Sequence, residues 1–214
     1  MKLKAQLPQR HRDGVTDLRV GADQRGFIAD LEEIHFGRFG KLEAVTTGGA
    51  TSTCPWTFHK TLRNFDYKTL RYPGHYDKVQ LLKDLGLLET SKIQVNGFKV
   101  APRDVFVAAA GPKLAFPKDR DLLIQRVVVY GKLKGKRAEV TYDVLDYGDR
   151  RTDFSAMQRT TGFSAAIILE MLAQGRVPRK GFVPVEKAVS GSIFLKEIRK
   201  RGIDVKERIR VEQR

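Results

Sequence analysis

Lys68-Thr69-Leu70-Arg71-Tyr72-Pro73-Gly74-His75 is an extended run that ends in a Pro-Gly turn and feeds a helix, and its reading decides the fold. Alternation over Tyr67 to Tyr72 puts Tyr67, Thr69 and Arg71 on one face of a strand and Lys68, Leu70 and Tyr72 on the other. Pro73-Gly74 stops that strand. From Asp77, the spacing of Val79, Leu82 and Leu85, with Leu81 beside them, predicts an amphipathic helix that Gly86 terminates. The whole is a strand-turn-helix unit. Yet no Gly-x-Gly-x-x-Gly run between a strand and a helix occurs anywhere in the 214 residues.

Working outward, Lys41 to Thr47 is a β-branched run leading into Gly48-Gly49, a strand ending in a loop. Pro102-Arg103-Asp104 opens a helix with Val105, Phe106 and Ala109 on its apolar face, and Gly111-Pro112 is expected to end it. Leu122 to Tyr130 and Ala138 to Asp146 form the clearest strand pair. In the second, Ala138, Val140, Tyr142 and Val144 alternate with Glu139, Thr141 and Asp143, which predicts an antiparallel hairpin with one buried face and Gly131 and Gly135 in the turn. Thr161 to Gln174 reads as a helix stopped by Gly175. Gly162, Ser164, Ala165 and Ala166 keep its first turn small, for close packing on a sheet or for the approach of a ligand. Ser190 or Ser192 is placed to cap a last helix to Arg201, and Val205 to Val211 alternates as a final edge strand.

Composition bounds the function. With 41% hydrophobic and 30% charged residues the chain is globular, and one domain is expected. Its apolar runs, such as Val127-Val128-Val129-Tyr130, are far shorter than the roughly 20 residues of a membrane span. The first eight residues have no apolar h-region, so a cytoplasmic location is expected. Residues 1–35, rich in Arg, Gln, Gly and Asp, read as an arm ahead of a domain over 36–214. That arm is flexible, a diverged domain edge, or a remnant of a longer interrupted gene. The single cysteine, Cys54, forms no internal disulfide, and with His59 five positions on it is either a thiol-imidazole pair or a structural residue. His11, His35, His59 and His75 have no metal-ligand spacing. The net charge of +15 is spread along the chain and its densest stretches lack interleaved aromatics, so a solvated cationic surface is favoured over nucleic-acid binding.

Three ordered blocks, Leu42-Glu43-Ala44, Lys68 to His75 and Ala156-Met157-Gln158-Arg159-Thr160-Thr161-Gly162-Phe163-Ser164-Ala165-Ala166, supported by Gly175 and Gly181 to Glu186, resemble the C-terminal domain of the saccharopine dehydrogenase and lysine 6-dehydrogenase family. The similarity runs from roughly Lys41 to Glu186. It implies an α+β fold, a mixed and largely antiparallel sheet with helices packed on one face, like the C-terminal domain of glyceraldehyde-3-phosphate dehydrogenase-type enzymes, with no complete Rossmann domain. It implies a substrate-binding and dimerisation domain of an oxidoreductase that acts on the C–N bond of an amino acid of the lysine or saccharopine type. NAD or NADP would be held only with a partner nucleotide-binding domain, carried in one arrangement by a separate chain. The alternative is a non-catalytic amino-acid-binding or dimerisation module. The implied partners are a small-molecule amino acid and a second copy in a homodimer; the short apolar runs exclude a membrane span, and the spread charge makes nucleic acid the least favoured partner. Positive potential would also draw in anionic small ligands.

The same resemblance assigns the site. The planar fork of Arg71 suits a substrate carboxylate, with Tyr72 beside it and Gly49 in the substrate loop. Tyr72 is alternatively core, because it faces the other side of the strand. Gly48 stands where the lysine 6-dehydrogenase branch has an acidic residue, and offers no side chain to a substrate amine. His75 is the catalytic candidate for proton transfer, or makes a structural hydrogen bond. Arg159, Thr160, Thr161 and Gly162, expected to precede or open a helix, are cofactor-binding candidates through its free N–H groups, or serve as its cap.

Overall fold

A computed structural model describes residues 29–46, 52–177 and 181–212. Gly48 and Gly49, and most of the expected arm over 1–35, lie outside the described residues. By their contacts the described residues fall into two compact units.

One unit contains the segment up to Ser52 together with Asp66–Asp119. Its sheet has the order β1 (Ala29–His35), β2 (Lys41–Thr46), β3 (Lys68–Arg71), and both pairings are antiparallel. Strand β2 is central and buries Leu42, Ala44 and Val45. β1 was not read from the sequence, because Asp30, Glu32 and Glu33 interrupt its apolar positions; it draws the end of the expected arm into the sheet. Helix α1 (Cys54–Phe58) belongs to the other unit, and α2 (His75–Asp84) follows β3 here, beginning two residues before Asp77. Next come a short hairpin, β4 (Ile93–Val95) and β5 (Phe98–Val100), and helix α3 (Pro102–Leu114). Gly111-Pro112 does not end α3: proline in the last turn removes a single backbone donor and its fixed φ suits a helix, so the helix runs on to Leu114.

The other unit contains Thr53–Phe65 and the chain from Arg120. A three-stranded antiparallel meander, β6 (Leu122–Leu133), β7 (Lys136–Tyr147) and β8 (Val205–Val211), is joined with α4 (Ala156–Ala173), α5 (Val185–Ala188) and α6 (Gly191–Lys200). The hairpin is longer than its alternation implied. Gly131 is not in the turn but within β6, opposite Ala138, and only Lys134 and Gly135 connect the strands. Both have positive φ, 52° and 82°, as a two-residue turn matching strand twist requires.

The expected one-sided burial is present. Tyr142 and Val144 of β7 and Val205 of β8 meet Ile167 and Met171 of α4 and Ile198 of α6, with Ile203, in one apolar core. On the opposite side of β7, Asp143 takes Arg126 Nε and Nη2 at 2.6 and 3.1 Å and Arg208 Nη2 at 2.7 Å. Burial alone would raise the Asp143 carboxyl, but these two guanidinium groups hold it below its ordinary value. Thus the fold is α+β with antiparallel pairing throughout the described residues, distributed over three small sheets.

Ile167 is 1% exposed at the centre of that core. Ile167→Ala is expected to lower stability by about 2 to 5 kcal/mol, read as an earlier urea midpoint with an unchanged slope.

Candidate functional site

The turn after β3 is built by a side chain from β2. Glu43 stands directly opposite Arg71 in the ladder, and its carboxylate reaches past the strand end. Oε1 accepts the Gly74 N–H at 2.6 Å and Oε2 the Tyr76 N–H at 3.4 Å. Gly74 is the residue before α2 and has φ 78°, a left-handed conformation that a side chain would strain. Tyr76 is buried, and its hydroxyl donates to the Thr69 carbonyl at 2.8 Å, which ties the helix back to β3. Pro73 and Gly74 therefore lie between two fixed points, with Arg71 and His75 at either end.

Both of those residues face solvent. The Arg71 guanidinium donates to the carbonyl of Leu70 at 2.7 Å, an exposed local bond that a carboxylate ligand could replace. Tyr72 is 64% exposed, which corrects the alternative that it is core. It leaves the strand at the turn, and its carbonyl accepts the His75 N–H at 3.2 Å. His75 is the first residue of α2, and its ring sits edge-on to Tyr76 with centroids 5.2 Å apart. Partial burial, then repulsion by Arg71 and Lys78, lowers the His75 pKa against the opposing pull of Glu43. Its imidazole is thus neutral at physiological pH and able to accept a proton. The parts that Tyr76 and Glu43 play in building this turn were not read from the sequence. Glu43 lay in the quoted Leu42-Glu43-Ala44 block, but its pairing with a turn 31 residues away is a tertiary fact with no local signal.

The start of α4 is a correction. The helix begins at Ala156, not near Thr161, because Ser155 and Gln158 form a capping box: Ser155 Oγ accepts the Gln158 N–H at 3.0 Å and Gln158 Oε1 accepts the Ser155 N–H at 2.8 Å. The Ser-x-x-Gln spacing was the signal for it. The next free donors are also taken, since Asp121 accepts the N–H groups of Ala156 and Met157 at 2.6 and 2.9 Å. Arg159, Thr160, Thr161 and Gly162 therefore sit inside the helix and not before it. Arg159 Nε and Nη2 donate to Asp146 at 2.9 and 3.3 Å, Nη2 also reaches the Gly202 carbonyl, and the guanidinium stacks over Phe163. Thr160 Oγ1 donates back to the Ala156 carbonyl and Thr161 Oγ1 approaches the Met157 sulfur. Of the four, Thr161 and Gly162 are exposed, and a Cβ added at Gly162 would meet nothing within 4 Å.

In the same unit, α1 and α5 meet through Glu186, whose carboxylate accepts the hydroxyls of Thr53 at 2.9 Å and Thr57 at 2.6 Å. Burial opposes ionisation there, yet the Thr57 and Thr53 hydroxyls keep the Glu186 pKa low. Thr53, Trp56, Thr57, Pro184 and Lys187 line an open cavity of about 320 Å³ beside this contact. No thiol-imidazole pair is built: His59 Nδ1 lies 2.6 Å from the Trp56 carbonyl, and burial, reinforced by Glu186, raises the Cys54 thiol pKa.

Two outcomes follow. In an NMR titration the His75 ring should change charge at a lower pH than free histidine, with the neutral form prevailing at pH 7. The Arg159 and Asp146 side chains are only 11% and 7% exposed, so Arg159→Ala should cost about 3 to 5 kcal/mol in chemical denaturation by leaving Asp146 unpaired. Asp146→Leu combined with Arg159→Met should recover most of that loss.

A family model described as saccharopine dehydrogenase C-terminal domain matches residues 20–203. That span begins before β1, takes in the Glu43-fixed turn, Arg71, His75, α4 and Glu186, and is wider at both ends than the Lys41 to Glu186 resemblance. With that match over most of its length, the chain belongs to the saccharopine dehydrogenase C-terminal domain family.

Proposed function

We propose that this chain is the substrate-binding and dimerisation domain of an NAD(P)-dependent oxidoreductase acting on the C–N bond of an amino acid of the lysine or saccharopine type. The observation that carries the reading is the placement of Arg71 and His75, both open to solvent, at the two ends of a turn that Glu43 fixes. Oxidation of a C–N bond needs the substrate held by its carboxylate and its nitrogen freed of a proton before hydride leaves the carbon. Arg71 grips the carboxylate with both arms of its fork. His75, neutral at physiological pH, takes the proton from the ammonium group. Tyr72 flanks the bound substrate.

The cofactor is NAD or NADP, held by a nucleotide-binding domain that sits elsewhere on a longer polypeptide or on a separate chain. On this side, Thr161 and Gly162 offer the cofactor contact, and Arg159 and Thr160 stiffen the helix that carries them. Among the described residues no helix is long and apolar enough to cross a membrane, and we place the activity in the cytoplasm.

A thermal-shift titration with lysine, saccharopine and NAD(H) tests this. A ligand at one hundred times its dissociation constant adds about 2.7 kcal/mol. Stabilisation by an amino acid and not by the dinucleotide is the expected outcome. Arg71→Ala should weaken that binding by roughly tenfold to a hundredfold, as loss of a charged hydrogen bond does. An unchanged titration in Arg71→Ala would remove Arg71 from the site, and NAD(P)-dependent turnover by this chain with no added protein would overturn the division of labour. Amino-acid binding that never leads to turnover when a nucleotide-binding partner is supplied would instead assign the non-catalytic module.

A further inference from the structure

Trp56 is the only tryptophan in the chain, and it is 60% exposed. An indole left in water is unusual, since tryptophan ordinarily buries most of its surface. The chain around it is pinned. Pro55 on one side is fully buried, and Thr57 on the other donates to Glu186 at 2.6 Å. The Trp56 carbonyl accepts from His59 Nδ1, also at 2.6 Å. The indole is thereby held outward as one wall of the cavity of about 320 Å³ beside the α1–α5 contact, with Pro184 as a second apolar wall. Such a volume lies at the small end of the range for ligand sites.

The polar lining decides what chemistry fits. Thr53 and Thr57 give their hydroxyl hydrogens to Glu186, so whatever polar surface they lend the cavity accepts and does not donate. The Glu186 charge is answered there, inside the α1–α5 contact. Lys187 is exposed, makes no hydrogen bond or ion pair among the described residues, and is the one charged side chain in the lining. Thr53–Phe65 adds Lys60 and Arg63 and no Asp or Glu, so the local potential is positive. We infer that this cavity binds a small aromatic carboxylate, its ring against Trp56 and Pro184 and its carboxylate on the Lys187 ammonium. A hydrocarbon guest would leave Lys187 without a partner, and a cationic one would meet it as a like charge. A donor on the ring would find the threonine oxygens. The site uses neither Arg71, His75 nor the α4 residues, and stands whether or not those residues bind substrate.

Because Trp56 is the only tryptophan, the emission of the whole chain reports on this wall directly. Anthranilate carries the ring, the carboxylate and an amino donor on about ten non-hydrogen atoms, which sets a dissociation constant on the order of 0.1 to 1 mM. It should quench Trp56 emission along a saturating curve. Benzylamine, of similar size and opposite charge, should give no saturable change. Lys187→Gln should weaken anthranilate binding by about tenfold or more, as loss of a charged hydrogen bond does, while Lys187→Arg keeps it. Should the glutamine variant fold poorly, the comparison with benzylamine reads the same charge preference on the unaltered chain. Quenching that never saturates up to about 10 mM, benzylamine binding as tightly as anthranilate, or undiminished binding in a folded Lys187→Gln chain would each overturn the inference.

Discussion

Carboxylates sent from a distance hold the starts of the two helices that matter here. Glu43 occupies the backbone donors at the head of α2, and Asp121 those at the head of α4. Each helix presents a partial positive charge and unpaired N–H groups at that end, so a buried or crowded start needs an anion. In a chain with 40 basic and 25 acidic residues, placing acidic groups there fixes where strands hand over to helices. The geometry of Arg71, His75 and the α4 residues follows from these two contacts.

The same contacts separate what was legible in the sequence from what was not. β8 and the Gly86 and Gly175 stops rest on local patterns, alternation or a left-handed glycine, and appear where those patterns put them; the β6–β7 hairpin pairs as its alternation implied but runs on past Gly131 to a turn at Lys134-Gly135. The positions of Arg71 and His75 on either side of a turn were legible for a similar reason, because Pro73-Gly74 marks it. What escaped depended on partners far along the chain. Glu43 acts across 31 residues, and Asp121 across 35. The late start assigned to α4 was a different kind of error, since Ser155 and Gln158 carry a local capping signal that the run of small residues after Thr161 outweighed. β4 and β5 were missed because three-residue strands, all but one residue exposed, show neither periodicity nor a buried face.

Arg159 illustrates how residue type can mislead about role. A guanidinium near a helix start invites an anionic ligand, and the ligand here is the protein's own Asp146, with Asp149 3.6 Å away. Two neighbouring carboxylates and an aromatic face give that cation everything it needs inside the fold. Arg71 differs in being exposed and, among the described residues, in donating to a carbonyl of its own strand, so a competing anion can displace that bond at little expense.

The tight connection at Lys134-Gly135 has a bearing on the order of assembly. Twelve strand pairs close around a two-residue link, so β6 and β7 can zip together early, with almost no entropy lost in bringing their ends near. β8 must instead wait for more than fifty intervening residues, including α4 and α6, to condense before Val205 meets Val144. Until then β7 keeps one bare row of hydrogen-bonding groups, a docking strip for any other extended chain, and newly made molecules are most open to mispairing in that interval.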